Sequence, residues 1–275
     1  MSAPQKTITL GDRTIARLGL GTNRIEDNDA SRAVLVAAAD RGYGLIDTAD
    51  IYTGHASETV IGLTLAAHPS NIAIATKGAM QRTESGVKID GTAVYLTAAL
   101  DDSLRRLKRD SVDLYYLHRP SPDTDIEESV GALRDAQTAG KIKLIGLSNV
   151  SVEQLERARK IATIDAIQNH YSLLERANDD VLAYAEVNGI MFVPFFPLDR
   201  GKLGGTDNVL DRIAAREGVT PTQIAISWLL HRSPVILPIP GTLSIRHLEA
   251  NLAALDITLS TEDIAALTAL GKPAA

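Results

Sequence analysis

The sequence predicts an α/β protein, folded as a (β/α)8 TIM barrel with an N-terminal β-hairpin and an extra C-terminal helix. Three observations support this prediction. Eight short apolar segments alternate with longer segments that have helical apolar spacing, and the 275 residues lie close to the usual length of such a barrel. No linker, repeat or low-complexity stretch divides the chain, so residues 1–275 are expected to form one domain. A doubly wound open sheet is the alternative architecture, because it has the same alternation.

The first half of the chain gives these elements in order. A hairpin over 6–17 turns at Gly11 and Asp12, and a first buried strand follows at 18–21. Leucines in the segment 92–108 recur at i, i+4, i+8 and i+11, which is one apolar stripe of a helix. The remaining predicted elements are helix 29–42, strand 44–47, helix 57–67, strand 72–76, helix 92–108, strand 112–117 and helix 126–139.

The second half continues the alternation. Ser151 followed by Gln154 is close to a capping box, and the run that begins at Ser260 is a good helix start for the extra C-terminal helix over 260–270. The predicted elements before it are strand 142–147, helix 151–162, strand 164–168, helix 178–188, strand 190–193, a helix or helix pair over 207–231, strand 235–237 and helix 244–254.

The composition is ordinary for a globular protein and excludes several classes of partner. Charged residues make up 23% and hydrophobic residues 45%, and the net charge of −6 argues against nucleic acid or an anionic membrane as the main partner. Without cysteine there is no disulfide, thiolate nucleophile or cysteine–zinc site, and the histidines lack metal-ligand spacing, so no metal is expected. The N-terminus has no hydrophobic signal segment and no apolar run reaches membrane-spanning length, which makes the cytoplasm the expected location.

Polar side chains follow three successive predicted strands at the point where each strand ends. Asp47 ends the first of these strands and Tyr52 lies five residues further on, while Lys77 and His118 follow the next two strands. Because the carboxyl ends of barrel strands meet on one face, we expect the four side chains to converge. A tyrosine is a useful acid when a cation lowers its pKa from near 10, and that cation needs an anion to hold it. Taken singly, each residue is more often a cap, a turn residue or surface.

Five pieces of the chain, in order, resemble the aldo-keto reductase family. They are residues 46–52 (IDTADIY), 76–78 (TKG), 116–118 (YLH), 145–149 (IGLSN) and 239–242 (IPGT), and together they span essentially the whole chain. The resemblance implies that the hairpin caps the bottom of the barrel. It also implies an NAD(P)H-dependent oxidoreductase that reduces aldehydes or ketones to alcohols, with hydride from the nicotinamide. Residues 193–198, 232–234 and 239–242 look like a bacterial branch associated with pyridoxal reduction.

The resemblance assigns a role to each catalytic candidate. Tyr52 donates the proton, Lys77 lowers the pKa of Tyr52, Asp47 holds Lys77, and His118 orients and polarises the carbonyl group. A catalytically silent NADP(H)-binding sensor of the same fold is an alternative function. A barrel isomerase or aldolase that uses Lys77 as a Schiff-base amine is a third, which Asp47 disfavours because it keeps the lysine protonated.

The cofactor is expected in the second half of the barrel. The chain has no G-x-G-x-x-G, so the dinucleotide is not held in the Rossmann manner. By resemblance, Ser148, Asn149 and Gln168 hold the nicotinamide carboxamide and Phe195 stacks on its ring. The adenosine 2′-phosphate is expected near the start of helix 244–254, where free N–H groups suit an anion. NADPH is favoured and NADH is possible. The expected contacts are Gly21, Thr22, Asp47, Ser148, Asn149, Gln168, Phe195, Phe196, Pro197, Leu198, Gly201, Leu203, Ile239, Gly241, Thr242, Arg246, His247 and Asn251.

The substrate is expected to be a small-molecule carbonyl compound. Arg24 and Arg119 are candidates to meet an anionic group on that substrate, the alternative being solvated loop arginines. Asp50, three residues past Asp47, is expected to make a turn hydrogen bond. The candidate wall residues of the substrate pocket are Asn23, Arg24, Ala79, Met80, Arg119 and Tyr171.

Overall fold

The computed structural model describes residues 4–70, 72–84, 86–199 and 209–271. It begins with the predicted hairpin, in which β1 (Thr7–Leu10) pairs antiparallel with β2 (Arg13–Ala16). Gly11 at the turn has a φ of 61°, a conformation that favours glycine. Leu10 and Ile15 are buried in one cluster with Leu45 and other side chains from the starts of the barrel strands. The hairpin therefore covers the N-terminal end of the barrel, as the resemblance implies.

Seven strands form one parallel sheet whose neighbours follow the chain order. A separate two-stranded hairpin over residues 80–89 lies between the third and fourth barrel strands along the chain. The strands after the first hairpin are β3 (Gly19–Gly21), β4 (Leu45–Asp47), β5 (Ala73–Gly78), β6 (Met80–Thr83), β7 (Gly86–Ile89), β8 (Val112–Leu117), β9 (Ile142–Ser148), β10 (Ala166–Gln168) and β11 (Met191–Phe192).

The eighth predicted strand, residues 235–237, is present as bridging backbone rather than as a regular strand. The N–H of Leu237 donates to the carbonyl of Phe192 at 2.9 Å, and the N–H of Phe192 donates to the carbonyl of Val235 at 2.9 Å. On the other side, the N–H of Gly19 donates to the carbonyl of Pro238 at 2.9 Å. This segment joins β11 to β3, so the sheet closes into a barrel and the open-sheet alternative is wrong.

Helices follow the barrel strands, and the predicted segment 207–231 is a helix pair. Gly218 has a φ of 68°, and Thr220 begins the second helix with a capping box and Pro221 in its first turn. The helices are α1 (Asp29–Asp40), α2 (Ala56–Leu65), α3 (Ala93–Leu107), α4 (Ile126–Thr138), α5 (Val152–Ala158), α6 (Asp179–Asn188), α7 (Val209–Glu217), α8 (Pro221–Arg232), α9 (Ile245–Ala253) and α10 (Thr261–Thr268). In the part of the chain that the structure describes, none of them is long and apolar enough to cross a membrane.

The alternation of side chains along the strands fixes which residues face the barrel interior. Leu45 and Ala75 belong to the cluster inside the barrel, whereas Ile46 and Ile74 belong to the larger cluster between the sheet and the helices. Because the side-chain period of a strand is two, the residue two positions after Leu45 or Ala75 also points inward. Asp47 and Lys77 are those residues, and the same rule points His118 inward two residues after Tyr116.

Candidate active site

A buried ion pair between Asp47 and Lys77 lies inside the C-terminal end of the barrel. Lys77 Nζ lies 2.6 Å from Asp47 Oδ1 and donates a second hydrogen bond, of 2.7 Å, to the carbonyl of Thr48. The two side chains are 0% and 2% exposed. The other carboxylate oxygen of Asp47 accepts a 2.7 Å hydrogen bond from Nε2 of Gln168. Both buried charges therefore have the partners that burial of an ion requires.

Tyr52 reaches this pair from the loop after β4. The loop turns through a short 3-10 segment in which Thr53 has a φ of 47°, and the Thr53 hydroxyl donates to the carbonyl of Ile25 at 2.8 Å. Lys77 Nζ donates to the Tyr52 hydroxyl at 3.4 Å and lies 4.9 Å from the centre of the tyrosine ring. The tyrosine hydroxyl and the lysine ammonium group are thus in contact, as the sequence predicts.

Burial dominates the ionisation of Tyr52. It raises the pKa of Tyr52, and the positive charge of Lys77, which acts in the opposite direction, does not offset it. The expectation that Lys77 brings this pKa below its ordinary value is therefore wrong in its net direction, although the contribution of Lys77 has the expected sign. For Lys77, burial lowers the pKa, but Asp47 and Tyr52 outweigh burial and the net pKa is raised. Both groups are protonated at neutral pH.

His118 completes the group from the end of β8. Its ring lies edge-on to that of Tyr52, with ring centroids 5.8 Å apart and an interplanar angle of 81°. Burial lowers the pKa of His118 well below 6.5, and the positive charges of Lys77 and Arg119 add to this effect. The imidazole is therefore neutral at pH 7. A neutral imidazole carries one N–H group, which can donate a hydrogen bond to a carbonyl oxygen.

These residues open onto a cavity of about 860 Å³, a size that suits an organic ligand. Predicted residues from many strand ends meet there, including Tyr52, His118 and the side chains expected around a nicotinamide. The Phe195 ring lies parallel to that of His170, with an interplanar angle of 8° and centroids 5.3 Å apart. The predicted cofactor residues that line the cavity are Gly21, Thr22, Asp47, Ser148, Asn149, Gln168, Phe195, Phe196, Pro197, Leu198, Ile239 and Gly241.

Other predicted cofactor contacts lie away from the cavity wall. Thr242 and Asn251 are buried, and the Thr242 hydroxyl accepts from the N–H of Ser244 at 3.0 Å. Arg246 and His247 lie at the exposed start of α9, with Arg246 Nη2 at 3.5 Å from His247 Nε2. Two more predicted contacts, Gly201 and Leu203, lie outside the described residues.

The predicted substrate walls divide into two groups. Asn23, Arg24, Met80 and Arg119 line the cavity. Ala79 and Tyr171 do not, and both are buried. The Tyr171 hydroxyl donates to Asp179 Oδ1 at 2.6 Å, so this side chain points toward the helices rather than the cavity. The prediction for these two residues is wrong.

A buried polar cluster behind the Asp47–Lys77 pair was not predicted. Thr76 precedes Lys77 on β5 and points to the opposite side of the strand. Its hydroxyl donates to Glu58 Oε1 at 2.5 Å, and Arg106 Nε donates to Glu58 Oε2 at 2.7 Å. Asp50 is also buried, and its Oδ1 has no hydrogen-bond partner among the described residues. Burial, followed by the negative charge of Glu58, raises the pKa of Asp50 to about 7. The outward position of Thr76 was the only signal for this cluster in the sequence.

Across the described ranges, no group of three or more His, Asp or Glu residues is arranged to hold a metal ion.

Comparisons with known proteins converge on one family. The profile described as "Aldo/keto reductase family" matches residues 15–272. Pyridoxine 4-dehydrogenase of Escherichia coli is 36% identical, over 97% of this chain and 98% of its own length. The solved structure of the thermostable aldo-keto reductase Tm1743 with the inhibitor epalrestat matches with a TM-score of 0.86 and 31% identity, over 97% of this chain and 100% of that one. An aldo/keto reductase from Klebsiella pneumoniae in complex with NADP and acetate matches with a TM-score of 0.85 and 29% identity, over 97% of this chain and 95% of that one.

Proposed function

The chain belongs to the aldo/keto reductase family, and we propose that it is an NADP(H)-dependent oxidoreductase that reduces an aldehyde or ketone to an alcohol. One observation carries this proposal. The Tyr52 hydroxyl, a proton donor, lies 3.4 Å from the ammonium group of Lys77 beside a cavity that His118 also lines. That arrangement suits protonation of a carbonyl oxygen.

The lining of the cavity fits a nicotinamide. The hydroxyl of Ser148 and the amides of Asn149 and Gln168 offer donors and acceptors for a carboxamide, and the Phe195 ring offers an apolar face. Backbone approaches closely beside them, because a Cβ at Gly21 would lie 2.8 Å from the carbonyl oxygen of Ile239. When bound, NADPH supplies the hydride for the carbonyl carbon. The complex of the Klebsiella relative with NADP supports this choice of cofactor.

The protein's own side chains supply the proton that the carbonyl oxygen receives. Tyr52 holds a proton at neutral pH, as an ordinary tyrosine does, and burial raises its pKa further. It gives that proton to the carbonyl oxygen as negative charge develops there, and the tyrosinate that remains is stabilised by the adjacent ammonium group of Lys77. Asp47 keeps Lys77 charged and fixed. The neutral imidazole of His118 donates a hydrogen bond to the same oxygen and orients it.

Replacing Tyr52 with Phe tests this assignment. We expect the turnover number to fall by about 100-fold to 10,000-fold, the usual contribution of a positioned acid, with little change in the dissociation constant of NADPH. Turnover is followed at 340 nm with an aldehyde panel, and binding by fluorescence titration with NADPH and with NADH. The panel includes pyridoxal, because a relative is named pyridoxine 4-dehydrogenase.

A matched variant controls for the loss of a tyrosine hydroxyl. Tyr184 lies on α6, where its hydroxyl accepts a hydrogen bond from Arg159, and Tyr184→Phe is expected to keep full turnover. Full turnover in Tyr52→Phe would remove Tyr52 as the proton donor. Tight NADPH binding by the unaltered protein without turnover of any carbonyl compound would favour the catalytically silent sensor. The single domain over residues 1–275 and the cytoplasmic location stay predictions.

A further inference from the structure

Arg119 is a cation at the substrate end of the cavity without a carboxylate partner. It directly follows His118 and lines the cavity with it. None of the ion pairs among the described residues includes Arg119, and the hydrogen bond of its guanidinium group goes to a neutral acceptor, Asn149 Oδ1, at 3.2 Å. A guanidinium group presents several N–H donors in one plane, so most of its donors stay available to a ligand.

The described wall of the cavity is positively charged although the chain carries a net charge of −6. Asp47 is the one acidic residue in the described lining, and its charge is matched by Lys77 at 2.6 Å. Arg24 and Arg119 then leave an excess of positive charge. A cleft with one sign of charge and low-dielectric walls concentrates ligands of the opposite charge.

The two arginines have different partners in the cavity wall. Arg24 Nη2 donates to the carbonyl of Gly241 at 3.2 Å, in the segment where the cofactor phosphates are expected. Arg119 lies beside the catalytic imidazole, and its charge and that of Lys77 both lower the pKa of His118. We therefore assign the anionic group of a substrate to Arg119, which directly follows His118, rather than to Arg24, which is bonded to the Gly241 carbonyl.

Asn149 ties Arg119 to the catalytic histidine. Its backbone has a φ of 58°, a left-handed conformation that asparagine tolerates better than most residues. Asn149 Nδ2 donates to the carbonyl of His118 at 3.1 Å and to the Ser148 hydroxyl at 2.9 Å, while its Oδ1 accepts from Arg119. The Asn149 amide thus fixes the position of the Arg119 guanidinium group relative to His118, the residue expected to orient the carbonyl group.

We propose that Arg119 selects the substrate by binding an anionic group, so that the preferred substrates are aldehydes or ketones with a carboxylate or phosphate a few bonds from the carbonyl carbon. This inference rests on the proposed reductase function. Hydrogen bonds between a guanidinium group and a carboxylate or phosphate are charge-assisted and can be bidentate, which gives them geometric selectivity as well as strength. The arginine would place the carbonyl oxygen against Tyr52 and His118.

The test compares two aldehydes that differ in one charge. Succinic semialdehyde and its methyl ester are reduced under saturating NADPH, and kcat/KM is measured for both. We expect the acid to exceed the ester by about tenfold in the unaltered protein, a factor that corresponds to about 1.4 kcal/mol. In Arg119→Gln the ratio should fall to near one, through a higher KM for the acid and little change for the ester. Arg119→Lys should retain part of the preference.

Two controls separate local recognition from general attraction. Arg105 lies on the outer face of α3 and pairs with Asp102, so Arg105→Gln removes the same charge far from the cavity and should leave the ratio unchanged. Succinate should inhibit ester reduction in the unaltered protein and much less in Arg119→Gln, whereas succinamide should inhibit neither. Glyceraldehyde 3-phosphate against glyceraldehyde extends the comparison from carboxylate to phosphate.

Each contrary outcome has a distinct meaning. Equal kcat/KM for acid and ester in the unaltered protein, for carboxylate and phosphate alike, would overturn the selection of anions and leave the reductase intact. If Arg119→Gln weakens NADPH binding by as large a factor as it lowers kcat/KM for the acid, the arginine belongs to the cofactor site. That result would also overturn the inference. Absence of turnover with every carbonyl compound would instead refute the reductase function itself.

Discussion

Removing one partner of the Asp47–Lys77 pair should destabilise the barrel by about 3–5 kcal/mol, whereas replacing both should cost far less. At a separation of 2.6 Å, the attraction between the two charges is about 6 kcal/mol for an effective dielectric constant of about 20. Desolvation costs several kcal/mol for each ion, so the pair as a whole is close to neutral. A single replacement removes the attraction and leaves one desolvated charge behind.

The variants Asp47→Asn, Lys77→Met and their combination form a double-mutant cycle. The remaining charge keeps its neutral contacts in each single variant: Lys77 retains the carbonyl of Thr48 and the Tyr52 hydroxyl, and Asp47 retains Gln168. These contacts limit the loss but do not replace an opposite charge. We therefore expect a coupling free energy of about 3 kcal/mol or more between the two positions.

Urea unfolding measures the cycle through the one tryptophan of the chain, Trp228, which is fully buried and should shift in fluorescence when it is exposed. Circular dichroism should give the same midpoints if unfolding is two-state. The half-exposed pair of Lys141 and Asp101 is the matched control, and its cycle should give about 1 kcal/mol or less. Additive losses at Asp47 and Lys77 would show that the two charges do not depend on each other, and the reasoning would fail.

Two further substitutions, at Asp50 and Gly146, with a control at Gly131, are tested by unfolding experiments. Asp50 has a pKa of about 7 when folded, against about 4 in an unfolded chain, so its ionisation opposes folding increasingly as the pH rises from about 4 to 7. Asp50→Asn should therefore stabilise the protein at pH 8 by up to about 4 kcal/mol and have little effect at pH 4; a gain independent of pH would contradict the assigned cause. Gly146→Ala should destabilise by about 1–3 kcal/mol or more, because its Cβ would lie 2.3 Å from the buried Tyr116 ring. Gly131→Ala in α4, where a Cβ meets nothing within 4 Å, should instead stabilise by up to about 1 kcal/mol, and equal effects at both glycines would refute the predicted clash.

Strand alternation explains why the convergence of Asp47, Lys77 and His118 could be predicted from the sequence. The inward positions of β4 and β5 change from apolar to charged at the last inward residue of each strand, at Asp47 and Lys77. A parallel barrel brings the last inward residues of its strands together at one end, independently of how the helices pack. The same rule would also have excluded Tyr171, because Gln168 points inward and a residue three positions later has the opposite parity.

Other features leave no clear pattern in the sequence. Met80, Val87 and Ile89 lie on one face of the β6–β7 hairpin, but each strand has only four residues and is mostly exposed, so the apolar alternation is too short to indicate strands there. The segment 235–237 has the composition of a strand, but Pro238 and Pro240 follow it and lack the N–H groups that would extend a regular ladder. Local composition predicts an element, while the hydrogen-bond donors of its neighbours decide whether that element becomes a regular strand.

The pKa of Tyr52 depends on burial as well as on the neighbouring charges that the sequence predicts. The sequence places a cation beside the tyrosine, and that cation does favour the tyrosinate. However, the inward position that brings Lys77 to Tyr52 removes Lys77 from water and leaves Tyr52 only partly exposed, and burial raises the tyrosine pKa by more than Lys77 lowers it. Asp47 adds to the effect, since the charge that keeps Lys77 protonated also repels a tyrosinate. The Asp47–Lys77 pair carries no net charge, so Tyr52 faces the positive end of a dipole rather than a net positive charge. Under the proposed function, the proton therefore leaves Tyr52 when the oxygen of a carbonyl group that is gaining negative charge lies within hydrogen-bond reach.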